Sequence, residues 1–200
     1  ESCLVADNTG GALSVPAGNL SNSWSRGTIW GNPVVFEAMT NSLTASNSIL
    51  GDASTLFASQ VVPGDHNVVW NTAVGLTFDT FTSFQNAGLG LGWEWSVYAD
   101  PLFANAGGGD YHLKSVMGRY DMNALAFVTN DADHSPAIDL GDPLSMAYTN
   151  ELEPNGSRLN AGMFGGAAQA SKSRTNAWLQ ITSFMDGGTL DAQTGAWVRW

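Results

Sequence analysis

GTIWGN at residues 27–32, NSILGD at 47–52 and NVVWNT at 67–72 are three copies of one pattern, spaced twenty residues apart. Each copy is a short apolar run that ends in Gly, Asn or Asp, residues that tolerate the left-handed backbone of a sharp corner. An earlier copy, SCLVAD, occupies residues 2–7. Short strands with regular corners predict a chain that coils, each strand pairing in parallel with its equivalent one turn later.

The predicted fold is therefore all-β, a right-handed parallel β-helix whose coils occupy residues 1–99. The repeat predicts an inward stack of Ile29, Ile49 and Val69 and a corner ladder of Asn32, Asp52 and Asn71. An antiparallel sandwich with coincidental spacing is the alternative. A helical fold is disfavoured, because no stretch keeps a sustained apolar period of 3.6 residues.

The composition agrees with a turn-rich β protein and excludes some partners. Charged residues make up 12% of the 200 residues, and the net charge is −11. This charge repels phosphate backbones and anionic membranes, so we expect no nucleic-acid partner. No apolar run is long enough for a membrane helix, and we expect no membrane insertion. The single cysteine is compatible with a secreted or cell-surface protein but does not by itself indicate one. Because the chain starts with Glu1 and without a signal peptide, it is expected to be a fragment or processed product.

From Asp100 onwards a different series of motifs replaces the repeat. They are DPLF at 100–103, GDYHLKS at 109–115, GRYD at 118–121, SPAIDLGDP at 135–143 and PNGSRLNAGMFGG at 154–166. The series resembles the C-terminal region of right-handed parallel β-helix repeat proteins, which occur in large exported bacterial proteins. The resemblance implies a cap over residues 100–173 that folds across the open end of the last coil. The expected covering residues are Leu102, Phe103, Tyr111, Leu113, Ile138, Leu140, Met163 and Phe164.

Residues 174–200 predict a further short β segment, with strands around Ile181 and Val198. The segment resembles the start of an immunoglobulin-like module. Two strands are too few to form a sandwich alone. They are also expected donors for strand addition, by which the chain would contact other modules or copies of itself end to end.

Two features disfavour catalysis, and no catalytic residue is assigned. Parallel β-helices include polysaccharide lyases, but Arg26 is the only basic residue before Lys114, so an anionic sugar would find almost no counter-charge. Glycoside hydrolysis needs two carboxylates roughly 5–10 Å apart, and the aligned corners offer only Asp52, with asparagines on either side.

Two candidate binding sites remain. Asp131 and Asp133 offer the hard oxygen ligands that calcium prefers, although the spacing of a known calcium loop is missing and a solvated acidic loop is the alternative. Trp93, Trp95 and Tyr98 lie in a glycine-rich stretch and could stack on sugar rings or anchor a protein partner. Strand alternation would put both tryptophans on one face, and core packing is the alternative.

These observations favour a non-catalytic extracellular β-helix module, a structural, adhesion or assembly unit of a larger bacterial protein. A carbohydrate-active module that binds or cleaves polysaccharides is the second hypothesis. The expected partners are other protein modules, copies of the chain itself and glycans. No cofactor is expected unless calcium binds.

Overall fold

The structure is a computed structural model that describes residues 2–15, 22–39, 43–75, 79–87 and 89–175. Within these ranges the chain is predominantly β, with one short α-helix and three 3₁₀ helices. The strands are β1 Cys3–Ala6, β2 Gly11–Val15, β3 Asn22–Ser25, β4 Gly27–Trp30, β5 Val34–Met39, β6 Leu43–Ser46, β7 Ile49–Phe57, β8 Gly64–Asp65, β9 Val68–Ala73, β10 Val97–Tyr98, β11 Phe103–Asn105, β12 Asp110–Leu113, β13 Arg119–Asp121 and β14 Ala126–Val128. The helices are α1 Phe81–Asn86 and the 3₁₀ turns Trp93–Trp95, Ala106–Gly108 and Met146–Asn150.

Strands 1 to 10 pair in parallel with one another across successive turns of the chain, as the repeat predicts. The longest ladder runs β1–β4–β7–β9–β10, a second runs β2–β5–β7, and β3–β6–β8 form a separate parallel sheet. In the first ladder the residues in register are Val5, Ile29, Leu50, Val69 and Tyr98. The predominantly β class and the parallel pairing are therefore confirmed.

The predicted inward stack is wrong at one residue. Ile29 and Val69 do share a register position, but Leu50 lies between them, while Ile49 pairs with Thr28 and Val68. The steps are 21 and then 19 residues, so an average of twenty misplaces the middle copy by one. A shift of one residue moves a strand side chain to the opposite face of the sheet. Both faces are apolar here, so hydrophobicity alone does not reveal the slip.

One face of this ladder packs into a core enclosed by the other strands. Ile29, Leu50 and Val69 belong to an apolar cluster in which Phe36 and Phe57 stack with ring centroids 5.6 Å apart. The cluster includes buried side chains from β5 and β6 as well as β7. The burial of these side chains supplies the main driving force for packing the parallel strands together.

Helix α1 extends the same core beyond β9. It begins after Thr80, whose hydroxyl accepts a hydrogen bond from the Ser83 backbone N–H in a reciprocal capping box. Its buried residues Phe81 and Phe84 lie close to Trp93, and the Phe84 ring centroid is 5.6 Å from that of Phe57. Phe81, Phe84 and Trp93 therefore extend the apolar core next to the last strands. This helix is an exception to the expectation that helix is disfavoured.

The opposite face of the ladder is covered by residues 100–175, which are mostly turns with two antiparallel hairpins, β11–β12 and β13–β14. Hydrogen bonds tie this closing segment to earlier strands: Gly162 N–H donates to Asn47 O at 2.9 Å, and Met163 N–H donates to Thr28 Oγ1 at 3.2 Å. Its apolar residues form one cluster with the outward side chains of the ladder: Ile49, Val68, Val97, Phe103, Tyr111, Leu113, Ala137, Ile138, Leu140 and Ala161.

These contacts run along the side of the ladder, from β10 back to β4, whereas the sequence predicts a segment that folds across its end. Most of the expected covering residues are buried or pack against the cluster, so their apolar role agrees with the expectation even though their position differs. The domain boundaries after residues 99 and 173 stay predictions. The β segment predicted over residues 174–200 lies outside the described residues, except for Arg174 and Thr175.

Asparagine and serine side chains bind the backbone between consecutive turns of the ladder. Asn67 is fully buried; its Oδ1 accepts from Ser48 N–H at 3.1 Å and its Nδ2 donates to Ala45 O at 2.8 Å. Ser48 Oγ accepts from Gly27 N–H, and Ser96 Oγ accepts from Asn67 N–H. The buried polar groups of these positions are thus satisfied within the fold.

The predicted corner ladder is present at two of its three positions. Asp7, Gly31, Asp52 and Asn71 occupy one corner with φ between 49° and 69°, and Asn71 Nδ2 donates to Asp52 Oδ1 at 2.8 Å. Asn32 lies one residue further on and donates to backbone carbonyls of β1 and β4 instead. The corner residues therefore act as hydrogen-bonding groups with left-handed backbone.

Candidate functional site

The aromatic residues predicted to bind a ligand do not form one surface. Residues 93–95 form a 3₁₀ turn and not a strand, so the expectation that both tryptophans share a face is wrong. Trp93 is 2% exposed, and its Nε1–H donates to Val62 O at 2.6 Å. Gly64 makes room for it, because a Cβ there would lie 2.2 Å from the indole. Trp93 is therefore a core residue.

The other two aromatic residues differ in their accessibility. Trp95 is 54% exposed and lies parallel to the His66 ring at a centroid distance of 6.2 Å. Tyr98 is half-buried between Trp70 and Phe81, at centroid distances of 5.2 and 5.9 Å. Of the three predicted ligand-binding residues, Trp95 presents the largest open surface.

The predicted calcium ligands have different surroundings. Asp131 is nearly buried; its Oδ2 lies 3.1 Å from Arg119 Nε and accepts from Ser115 N–H at 3.0 Å. Asp133 is exposed. Among the described residues, no group of three or more His, Cys, Asp or Glu side chains is placed to hold a metal ion. Asp131 thus already has a cationic partner.

Arg119 is the centre of a charged cluster. The motifs that contribute to this cluster were predicted only as parts of the cap. Alternation along β13 puts Arg119 and Asp121 on one face, and β12 contributes Asp110 and His112 in the same way. Arg119 Nη1 lies 3.6 Å from Asp110 Oδ2 and 3.7 Å from Asp121 Oδ2. The signal in the sequence is the pair of motifs GDYH and GRYD, each with two polar residues two positions apart.

The turns around this cluster fix its carboxylates. Asp121 Oδ1 accepts from the backbone N–H groups of Asn123 and Ala124 at 2.9 and 2.8 Å, and these bonds lower the pKa of Asp121. Asp110 Oδ1 lies 2.6 Å from His112 Nδ1. Burial lowers the pKa of His112 although Asp110 opposes the shift, so the ring is neutral at pH 7 and Nδ1–H donates to Asp110.

A second group of carboxylates is buried in the closing segment. Burial raises the pKa of Glu151 to about 7, although Oε1 accepts from Asn160 and Gly166 N–H at 3.0 and 2.8 Å. Burial also raises the pKa of Asp139 to about 6, against the hydrogen bond from Ser173 Oγ. Raised carboxyl pKa values occur in catalytic sites. Here Glu151 Oε1 accepts from backbone N–H groups of the segment itself, and Asp139 Oδ1 accepts from the Ser173 hydroxyl group. Glu151 is 4% exposed.

Three comparisons with known proteins bear on the chain. The sequence model of a family described as "Disaggregatase related" matches residues 59–141, which is less than half of the chain. This description differs from the β-helix repeat proteins that the motifs resemble, and it names no fold. No curated protein and no solved structure matches the chain. The matched residues include the Arg119 cluster and Trp95.

Proposed function

We propose that the chain is part of a right-handed parallel β-helix and serves as a non-catalytic structural, adhesion or assembly unit of a larger secreted or cell-surface protein. Three parallel ladders with steps of about twenty residues and a left-handed corner that recurs at Asp7, Gly31, Asp52 and Asn71 support the β-helix architecture. The resemblance of the motif series to exported proteins supports the extracellular setting.

The observation that carries the non-catalytic role is the burial of the main ladder on both faces. Ile29, Leu50 and Val69 pack inward, and Ile49 and Val68 pack under the closing segment. Among the residues that the structure describes, neither face of these strands is open. The open polar groove of the ladder lies at its corner, where Asp52 is the one carboxylate among the lining residues. Strands held on both faces form a rigid unit, which suits a spacer or a platform for contacts with other modules or copies of the chain.

A carbohydrate-active role is the second candidate, and one observation favours it. Asp110 and Asp121 both face Arg119 at the surface of the closing segment, within the range that the family description matches. That description speaks of a relation to a disaggregatase, which is the name of an activity.

An activity assay separates the two candidates. The 200-residue chain is incubated with a panel of neutral and anionic polysaccharides, and new reducing ends and unsaturated products are measured. We expect neither. Turnover that disappears in Asp110→Asn or Asp121→Asn, and persists in the matched exposed variant Asp133→Asn, would contradict the non-catalytic proposal. Small-angle scattering of the purified chain at several concentrations then tests self-assembly.

A further inference from the structure

A polar cleft lies between the β11–β12 and β13–β14 hairpins of the closing segment. Its volume is about 360 Å³, which is within the range of small-molecule sites. Arg119 is 9% exposed and lies between the two carboxylates. The remaining lining comes from the two turns. The lining includes Asn105, Asp110, Arg119, Asp121, Met122 and Asn123.

The guanidinium group of Arg119 is anchored from the side. Its Nε donates to Asp131 Oδ2 at 3.1 Å, and Nη1 lies 3.4 Å from the Tyr120 carbonyl oxygen. Asp110 Oδ2 and Asp121 Oδ2 lie 3.6 and 3.7 Å from Nη1, too far for hydrogen bonds of ordinary length. Each carboxylate therefore faces the cation with one oxygen that makes no hydrogen bond to any residue the structure describes.

The two carboxylates are held in place by bonds to their other oxygens. Asp110 Oδ1 accepts from two of the three nitrogens of His112, the backbone N–H at 3.1 Å and Nδ1 at 2.6 Å. The His112 ring is 1% exposed and stacks on Phe164 at 3.7 Å. Asp121 Oδ1 is fixed by two backbone N–H groups of its own turn. A ligand that uses the Oδ2 atoms would thus find them already oriented, which lowers the entropic cost of binding.

The charges select the ligand class. Asp110 and Asp121 repel anions, and the guanidinium group occupies the position between them from which a metal ion or ammonium group would contact both Oδ2 atoms. A hydroxyl group can donate to a carboxylate and accept from a guanidinium group. Met122 is 53% exposed at the cleft and offers an apolar surface to ring C–H groups.

We propose that this cleft binds one neutral sugar unit of a glycan, with Asp110 and Asp121 accepting from its hydroxyl groups and Arg119 donating to them. The proposal names a ligand class for the adhesion role and rests on that role. It does not extend to cleavage. The two Oδ2 atoms lie 3.6 and 3.7 Å from the same Arg119 nitrogen, so one sugar unit can reach both. Backbone N–H groups lower the pKa of Asp121, which favours its ionised form as an acceptor.

The test is a titration of the full ¹⁵N-labelled chain, followed by amide NMR shifts, with glucose, galactose, mannose and N-acetylglucosamine up to roughly 50 mM, since single-sugar affinities in the millimolar range are expected. We expect at least one sugar to shift the amides of Gly109, Arg119 and Asn123. Asp121→Asn should weaken that binding at least fivefold. Asp133→Asn makes the same charge change at an exposed position outside the cleft, and it should leave binding unchanged.

Several outcomes would overturn the proposal. They are the absence of cleft shifts with every sugar, shifts confined to the surroundings of Trp95, and equal weakening by both variants. Calcium chloride and lysine methyl ester serve as cationic probes, and displacement of the sugar by either would contradict a neutral ligand. The amide spectrum of Asp121→Asn shows whether that variant is folded. Asp110→Asn is the second variant if it is not. Loss of sugar binding leaves the structural role intact, whereas turnover would contradict the non-catalytic role.

Discussion

Replacing Glu151 by Gln should stabilise the chain above neutral pH. Glu151 is 4% exposed, its Oε1 accepts two backbone N–H groups, and its Oε2 has no hydrogen-bond partner among the described residues. Burial, with a smaller contribution from Asp139, raises its pKa from 4.5 to about 7. Ionisation thus places a charge in the closing segment without an adjacent cation. Glutamine keeps the acceptor oxygen and removes this charge.

The magnitude follows from the shift in pKa. A rise from 4.5 to about 7 corresponds to about 3 kcal/mol, at roughly 1.4 kcal/mol per unit. Because the pKa is higher in the folded state, the stabilisation is fully present below pH 4.5 and is lost as pH rises through 7. About 1 kcal/mol of this loss falls between pH 6 and 8. Asp139, whose pKa is about 6, contributes mainly below that window.

Urea unfolding followed by tryptophan fluorescence measures the effect at pH 6, 7 and 8. The free energy of unfolding of the wild-type chain should fall by about 1 kcal/mol across this range, and that of Glu151→Gln should stay nearly level. Glu37→Gln, at an exposed position of β5, is the matched control and should follow the wild type. Equal pH dependence in the wild type and Glu151→Gln would refute the reasoning.

Three further substitutions test the placement of the predicted site residues. Trp93→Ala should lower the free energy of unfolding by about 3–5 kcal/mol in urea, because it empties a core position. Trp95→Ala should change it by less than about 0.5 kcal/mol, since that side chain is 54% exposed; a loss as large as that for Trp93 would contradict the difference in burial. Asp131→Asn should cost about 3 kcal/mol, because it leaves the buried Arg119 without its closest carboxylate. Thermal unfolding checks this loss against Asp133→Asn, which should be neutral, and equal effects would argue against the ion pair.

The parallel pairing could be predicted from the sequence because it follows from the spacing of apolar runs and corner residues. Gly31 directly after β4, Asp52 within β7 and Asn71 within β9 mark one corner, and β4, β7 and β9 pair in succession. The register could not be predicted as well. Val68 and Val69 are both fully buried, so apolar character is equally compatible with either valine as the pairing partner of Ile49. The register follows from the unequal spacing of the strands, with steps of 21 and then 19 residues.

The functional residues were harder to predict for a different reason. The Trp93–Trp95 stretch alternates like a strand, yet Gly92 takes φ 85° and starts a 3₁₀ turn that buries one tryptophan and exposes the other. The Arg119 cluster joins residues from two hairpins, and no spacing along the chain shows that Asp110 and Asp121 face the same nitrogen. Asp131, which was predicted as a calcium ligand, forms an ion pair with Arg119 of this cluster.

The distribution of polar groups separates the frame of the molecule from its binding surface. In the ladder, Asn67 and Ser48 use their side chains to bind neighbouring turns, and little hydrogen-bonding capacity is left for a ligand. In the closing segment, Asp110 and Asp121 each keep one oxygen directed at Arg119 beyond hydrogen-bond length. Irregular segments on a rigid frame are where binding residues concentrate. The proposed sugar site is thus expected on the hairpins of the closing segment, and the ladder is expected to hold that segment in place.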